Sequence, residues 1–102
     1  MKILAIEHEM PDIPAERFQP HLRAEAARVW ELYQAGILRE IYFRQNQSTS
    51  VLILECAGVE EAEQVLGTLP LIKEGLITFE VIPLRPYPGM ARLFASQESC
   101  PP

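Results

Sequence analysis

The sequence predicts a single α+β domain of order β-α-β-β-α-β, in which four strands form one antiparallel sheet with two helices on one face. Three observations carry the prediction. Four short segments rich in Ile, Leu, Val and Phe are separated by turn residues. Two stretches with helical spacing of apolar residues lie between the first and second segments and between the third and fourth. A chain of 102 residues makes one hydrophobic core, with room for added burial from a partner.

Residues 2–9, Lys-Ile-Leu-Ala-Ile-Glu-His-Glu, start apolar and end charged, as a central strand does when its far end reaches solvent. Pro11, Pro14 and Pro20 punctuate the connection after it, because an interior proline removes an amide donor and clashes one turn back. A helix is expected over 20–35, with Pro20 in its first turn and Gly36 as its left-handed stop. Leu22, Ala26, Val29 and Tyr33 form a stripe expected to face the sheet, with Trp30 on one flank and His21, Glu25 and Leu32 on the other.

In residues 38–45, Ile41 and Phe43 alternate with Glu40, Tyr42 and Arg44, and the polar run Asn46-Gln47-Ser48-Thr49 turns the chain into a third strand over 50–56. That strand is apolar nearly throughout, as an interior strand covered on both faces is. Gly58 opens a second helix in which Ala62, Val65, Leu66 and Leu69 share a face, while Glu60 and Glu61 complement the positive end of the helix dipole. Leu69-Pro70-Leu71 ends it, and Gly75 leads into a fourth strand over 76–82. There Ile77, Phe79 and Val81 alternate with Thr78, Glu80 and Ile82, and Phe79 is expected in the core. Pro83 cannot donate to a ladder, so this strand stops there or lies at an edge, and the ferredoxin-like order 4-1-3-2 puts it at an edge.

The domain is read as 1–88 and the rest, 89–102, as a tail. Pro83, Pro86 and Pro88 hold the connection extended at about 3.1 Å per residue. The same spacing makes Pro83-x-x-Pro86 a stiff linker rather than a ligand for a polyproline-binding groove. Met90, Leu93 and Phe94 are expected to dock on a partner subunit, with the end of the tail disordered. Two helices on one face leave the other face of the sheet as a broad apolar patch. A homodimer built sheet against sheet covers it, with higher oligomers left open.

A formal net charge of −5 without a local Lys/Arg cluster argues against nucleic acid, and the first and third strands lack the stacking aromatics of an RNA-binding sheet. No apolar run approaches the ~18 residues of a membrane span, and the first apolar run is too short for a signal segment. A cytoplasmic protein without membrane contact is expected. Cys56 and Cys100 offer neither a disulfide framework nor ligand spacing. No P-loop, dinucleotide-binding turn or Ser-His-Asp order is present, so no metal and no cofactor are expected.

Glu7-His8-Glu9 is the richest local cluster of acid/base groups. Alternation along a strand sends Glu7 and Glu9 one way and His8 the other, so the three cannot chelate one metal. His8 is a candidate general base, its bland alternative a histidine at a solvated strand end. Glu80 is a second catalytic candidate. Tyr42, Arg44 and Glu55 are candidate substrate-binding residues if strand parity brings them to one face with Glu80; otherwise they are ion pairs at a strand rim or dimer interface. Arg39 is a further binding candidate or a tie for the loop after the first helix. His21 and Glu25, four residues apart on a helix flank, read as a surface ion pair.

The run Glu31-Leu32-Tyr33-Gln34-Ala35-Gly36-Ile37-Leu38-Arg39-Glu40, followed by Leu69-Pro70-Leu71 and Phe79-Glu80-Val81-Ile82-Pro83-Leu84, resembles the muconolactone isomerase-like branch of the dimeric α-β barrel superfamily, over about residues 1–88. The turn Ile72-Lys73-Glu74-Gly75 is longer than in that branch, and the tail has no counterpart there. Arg39 alone is carried over as a matched position. The resemblance implies a dimeric α-β barrel and kinship with lactone isomerases, cofactor-independent oxygenases and haem enzymes. Two functions are then expected. One is a small isomerase or cofactor-free oxygenase that acts on a compact carbonyl compound in a pocket between sheet and helices; the other is a non-catalytic dimeric metabolite-binding or scaffold protein. A cavity with at least two converging polar side chains favours the first, and a filled one the second.

Overall fold

In the computed structural model, which describes residues 1–94, the chain forms β1 (Lys2–Glu9), α1 (Leu22–Gln34), β2 (Leu38–Phe43), β3 (Ser50–Glu55), α2 (Val59–Leu66), α3 (Pro70–Lys73) and β4 (Ile77–Pro83). The sheet order is β2-β3-β1-β4 with every pairing antiparallel, which is the expected 4-1-3-2 order read from the other edge. Pro83, without an amide hydrogen, is the last residue of edge strand β4.

Cross-strand partners share a face. The register sets Ile3 against Leu54 and Ala5 against Leu52 and Val81, and this parity points toward the helices. With Leu32, Ala62, Leu66 and Leu69 these residues form the core. The opposite parity, Leu4, Ile6, Val51, Ile53 and Ile82, is half-buried. Phe79 packs on the core from β4 yet keeps part of its ring exposed, less buried than the alternation suggests.

Several boundaries differ from the sequence reading. Helix α1 starts at Leu22 because residues Gln19–His21, including Pro20, form a 3-10 turn instead. The four-residue α3 has no counterpart among the expected elements; Pro70 opens it because its missing amide hydrogen leaves nothing unsatisfied there. A bulge between Leu38 and Glu40 inserts Arg39 as an extra residue, which lets Leu38, Ile41 and Phe43 share the helix-side face. Gly36 ends α1 at φ +78°, as expected of a left-handed stop.

The α1 stripe faces the sheet but does not close on it. Leu22 and Tyr33 remain 43% and 53% exposed, and the buried residue of α1 is Leu32, on the flank. The helix is tethered instead through Arg28, whose Nε donates to Thr68 Oγ1 at 2.9 Å, and through Glu25. Toward the other end of the chain, Met90, Leu93 and Phe94 are 63%, 81% and 86% exposed. Cys56 is buried and free, its thiol pKa raised chiefly by that burial. Cys100 and the expected disordered end lie outside the described residues.

Candidate active site

Between α1, the 3-10 turns that precede it and the β2 edge of the sheet lies an open cavity of about 960 Å³. Phe18, Leu22, Val29, Trp30 and Tyr33 wall it on one side, and Leu38, Ile41 and Phe43 on the other. Trp30 and Tyr33 stack with ring centroids 5.7 Å apart at 26°. The stripe that reads as a core face is thus the lining of a hollow.

Two carboxylates are built into this wall. Glu7 follows Ile3 and Ala5 on the helix-side parity of β1, so the strand that contributes core residues also carries an acid inward. The register that pairs Ile6 with Val51 brings Glu7 beside Ser50. Its Oε1 accepts from the Ser50 amide at 3.0 Å and from the Ser50 hydroxyl at 2.7 Å, which satisfies a side chain only 8% exposed. Glu25 reaches from α1 to accept the amide hydrogen of Leu71 at 3.0 Å. Burial raises the Glu25 pKa; the Leu71 hydrogen bond pulls the other way, and the charge of Glu7 adds to the rise. The cavity therefore has an apolar wall with two carboxyl groups in it, Glu7 and Glu25, the pKa of Glu25 being raised.

The residues singled out from sequence lie elsewhere. His8, Tyr42, Glu55 and Glu80 share the open face of the sheet, as their strand parities allow, and none of them lines the cavity. Only His8 and Glu80 meet, Nε2 to Oε1 at 3.7 Å, both more than half exposed. Glu55 pairs in register with Lys2, six residues from His8 and so roughly 20 Å along the strand. It bonds the Met1 amine, and that hydrogen bond and charge lower its pKa, with smaller help from Arg39 and Lys2. Tyr42 donates to Glu40 at 2.8 Å, which raises its hydroxyl pKa, and the row Tyr42–Val51–Ile6–Glu80 separates it from Glu80 by about 14 Å. Arg39 sits in the bulge and Arg44 in the turn after β2, where its amide donates to Thr49 O at 2.9 Å. Within one chain, register thus spreads Tyr42, Glu55 and Glu80 over the open face rather than gathering them at one point. His21 also departs from expectation, since it faces Glu74 at 3.6 Å rather than Glu25.

Glu7, Glu25 and Ser50 escape sequence reasoning as a site. The signals that point to them are an acid at a core-facing position of a central strand and a glutamate flanking an apolar helix stripe. Among the described residues no group of three or more His, Cys, Asp or Glu side chains is placed to hold a metal, and no helix is long and apolar enough to cross a membrane.

The family model for muconolactone delta-isomerase matches residues 4–90. No curated protein sequence matches the chain. Among solved structures, muconolactone isomerase superposes with a TM-score of 0.72 at 19% identity, covering 97% of each chain. The 5-chloro-2-hydroxyhydroquinone dehydrochlorinase of Burkholderia phenoliruptrix AC1100, complexed with 2,5-dihydroxybenzoquinone, superposes with a TM-score of 0.68 at 17% identity, covering 83% of this chain and 94% of that one.

Proposed function

The chain belongs to the muconolactone delta-isomerase family, and on that premise we propose that it is a small enzyme that shifts a proton within a compact unsaturated carbonyl compound, with Glu25 as the proton carrier. The observation that carries this reading is a half-buried carboxyl of raised pKa in the wall of an apolar cavity. A carboxylate lifted toward working pH is a stronger base, and once protonated it remains a competent acid. Glu25 takes a proton from a carbon conjugated with the carbonyl, the electron pair moves toward the carbonyl oxygen, and the same carboxyl returns the proton at a different carbon. No atom is gained or lost, and the step needs no oxidant. Glu7, fixed by Ser50, keeps a second acid near enough to favour the protonated form of Glu25. The names of the two structural neighbours speak of a lactone and a hydroxylated ring, molecules of a size this cavity admits.

The test is turnover of unsaturated lactones, muconolactone among them, followed by absorbance and by deuterium uptake from heavy water. Glu25→Gln should lower the rate by about 10²- to 10⁴-fold, and His8→Gln should leave it unchanged. Full activity in Glu25→Gln would take the proton step away from Glu25. Loss of activity in a folded His8→Gln would move it to the open face of the sheet, with Glu80 beside it.

The assembly belongs to the same reading. A second copy laid on Leu4, Ile6, Val51, Ile53 and Ile82 completes the burial of that face, and Tyr42, Arg44, Glu55 and the His8–Glu80 pair form a polar rim that sets its register. Met90, Leu93 and Phe94 reach onto this partner, and a buried free Cys56 suits the reducing cytoplasm. A chain truncated after Pro88 should dissociate at higher concentration in sedimentation; unchanged dissociation would leave the arm no part in assembly.

A further inference from the structure

We propose that Arg28 is a positioning residue: its hydrogen bond to Thr68 is the strut that fixes how far α1 stands from the sheet, and so where Glu25 sits in the cavity wall. The proposal rests on the reading of Glu25 as the proton carrier and adds what holds it in place. Apolar packing fixes α1 through Leu32 on its flank but not at the ends of its stripe, where Leu22 and Tyr33 stay 43% and 53% exposed beside the cavity. Two polar ties reach instead from α1 to the segment that leads from α2 into α3. Arg28 Nε donates to Thr68 Oγ1 at 2.9 Å, and Glu25 accepts the Leu71 amide hydrogen at 3.0 Å. Residues 25 and 28 are three apart on one side of a helix, and their partners 71 and 68 are three apart in the reverse sense, so the ties form an antiparallel pair.

Thr68 is well suited to receive this bond. Its hydroxyl donates its hydrogen to Val65 O at 2.6 Å, which leaves only lone pairs of the oxygen for Arg28. The backbone behind it belongs to the packed half of the molecule: the Thr68 and Leu69 amides donate to Val65 O and Leu66 O at 3.1 Å, with Leu66 and Leu69 in the core. At the other end the guanidinium is steadied on its own helix by Glu31, Nη1 to Oε1 at 3.4 Å. A planar charged donor on α1 and a fixed acceptor at the exit of α2 thus carry the position of the packed half across to the hollow one. Glu25 cannot be its own anchor in this way. Its bond to the Leu71 amide weakens each time the carboxyl takes up a proton, whereas Arg28 keeps its charge and its bond throughout.

Carbon-detected NMR titration of Glu25 in the full chain tests this. Thr68→Val keeps the shape and charge of the site but removes the acceptor, and Thr68→Ser keeps the hydroxyl. Burial is the chief cause that raises the Glu25 pKa, so loss of the strut in Thr68→Val should let the midpoint fall toward the ordinary value, while Thr68→Ser should hold it. In the natural chain, with no variant needed, the Arg28 Nε–H should exchange with water at least tenfold more slowly than that of the exposed Arg23. An unmoved midpoint in a folded Thr68→Val, an equal fall in Thr68→Ser, or equal exchange at the two arginines would overturn the proposal. These readings need no substrate, so they separate from the turnover test. A chain whose Glu25 midpoint follows the strut but that isomerises no lactone loses the proton-transfer reading and keeps the strut; one in which Glu25→Gln stops turnover while the midpoint ignores Thr68→Val does the reverse.

Discussion

On the α2 side of the sheet, Ala62, Leu66 and Leu69 come down to 3% exposure or less, in one cluster with Ile3 and Leu54. On the α1 side, Leu22, Trp30 and Tyr33 keep 43%, 56% and 53% exposure over the same sheet face, and the gap beneath them is the cavity. Both helices present an apolar stripe to the sheet, but only one closes the space. The closed half contributes burial and hence stability. The hollow half leaves room for a ligand and lets a carboxyl sit partly out of water, which is what shifts its proton affinity. An apolar stripe thus identifies the direction a helix faces, and the distance at which it stands decides whether that face becomes core or binding site.

A matched pair of helix leucines tests this contrast most severely. Leu66→Ala should lose about 2 to 5 kcal/mol in urea unfolding, because it empties a packed site. Leu22→Ala should lose under about 1 kcal/mol, because its neighbour is already open space. Equal losses would mean that α1 closes on the sheet in solution. Between these extremes, Ser50→Ala should lose about 1 to 3 kcal/mol, since it removes one of two hydrogen bonds from the buried Glu7 carboxyl. A neutral result there would mean that Glu7 is not held in the wall.

The smallest effect is a slope. The native pKa of Glu25 lies above the ordinary value of 4.5, so the native state binds more protons than the unfolded chain across that interval. The stabilising contribution of its proton is full below the unfolded pKa and is lost as pH rises through the native one. Glu25→Gln, which keeps an acceptor for the Leu71 amide, should therefore gain stability relative to the natural chain as pH rises from about 4 toward neutrality, and the gain should then level off. Melting curves across that range would show it, and a difference independent of pH would refute it.

The sheet was largely legible because period-two alternation reports strand faces directly: Ile77, Phe79 and Val81 fall on one side of β4 as read, and Gly36 ends α1 where a left-handed residue is needed. The four-residue α3 was not, since a helix of one turn leaves no periodicity to read. The site was hidden for a different reason. Glu7 and Glu25 are far apart in sequence and share a cavity wall only through the packing of α1 over the helix-side face of β1, which neither composition nor spacing encodes. The more conspicuous groups, His8, Tyr42, Glu55 and Glu80, attract notice as acids and bases, yet parity turns them to the face without helices.

The claim on which the account turns is that the hollow half of the molecule holds Glu25 in a state that favours its proton, partly through Glu7. Carbon-detected NMR titration of the glutamate carboxyls in the natural chain and in Glu7→Gln measures this directly. The account predicts that Glu25 titrates above the ordinary glutamate range, and that its midpoint falls when the charge of Glu7 is removed while burial keeps it raised. A Glu25 midpoint at or below the ordinary value in the natural chain would contradict it.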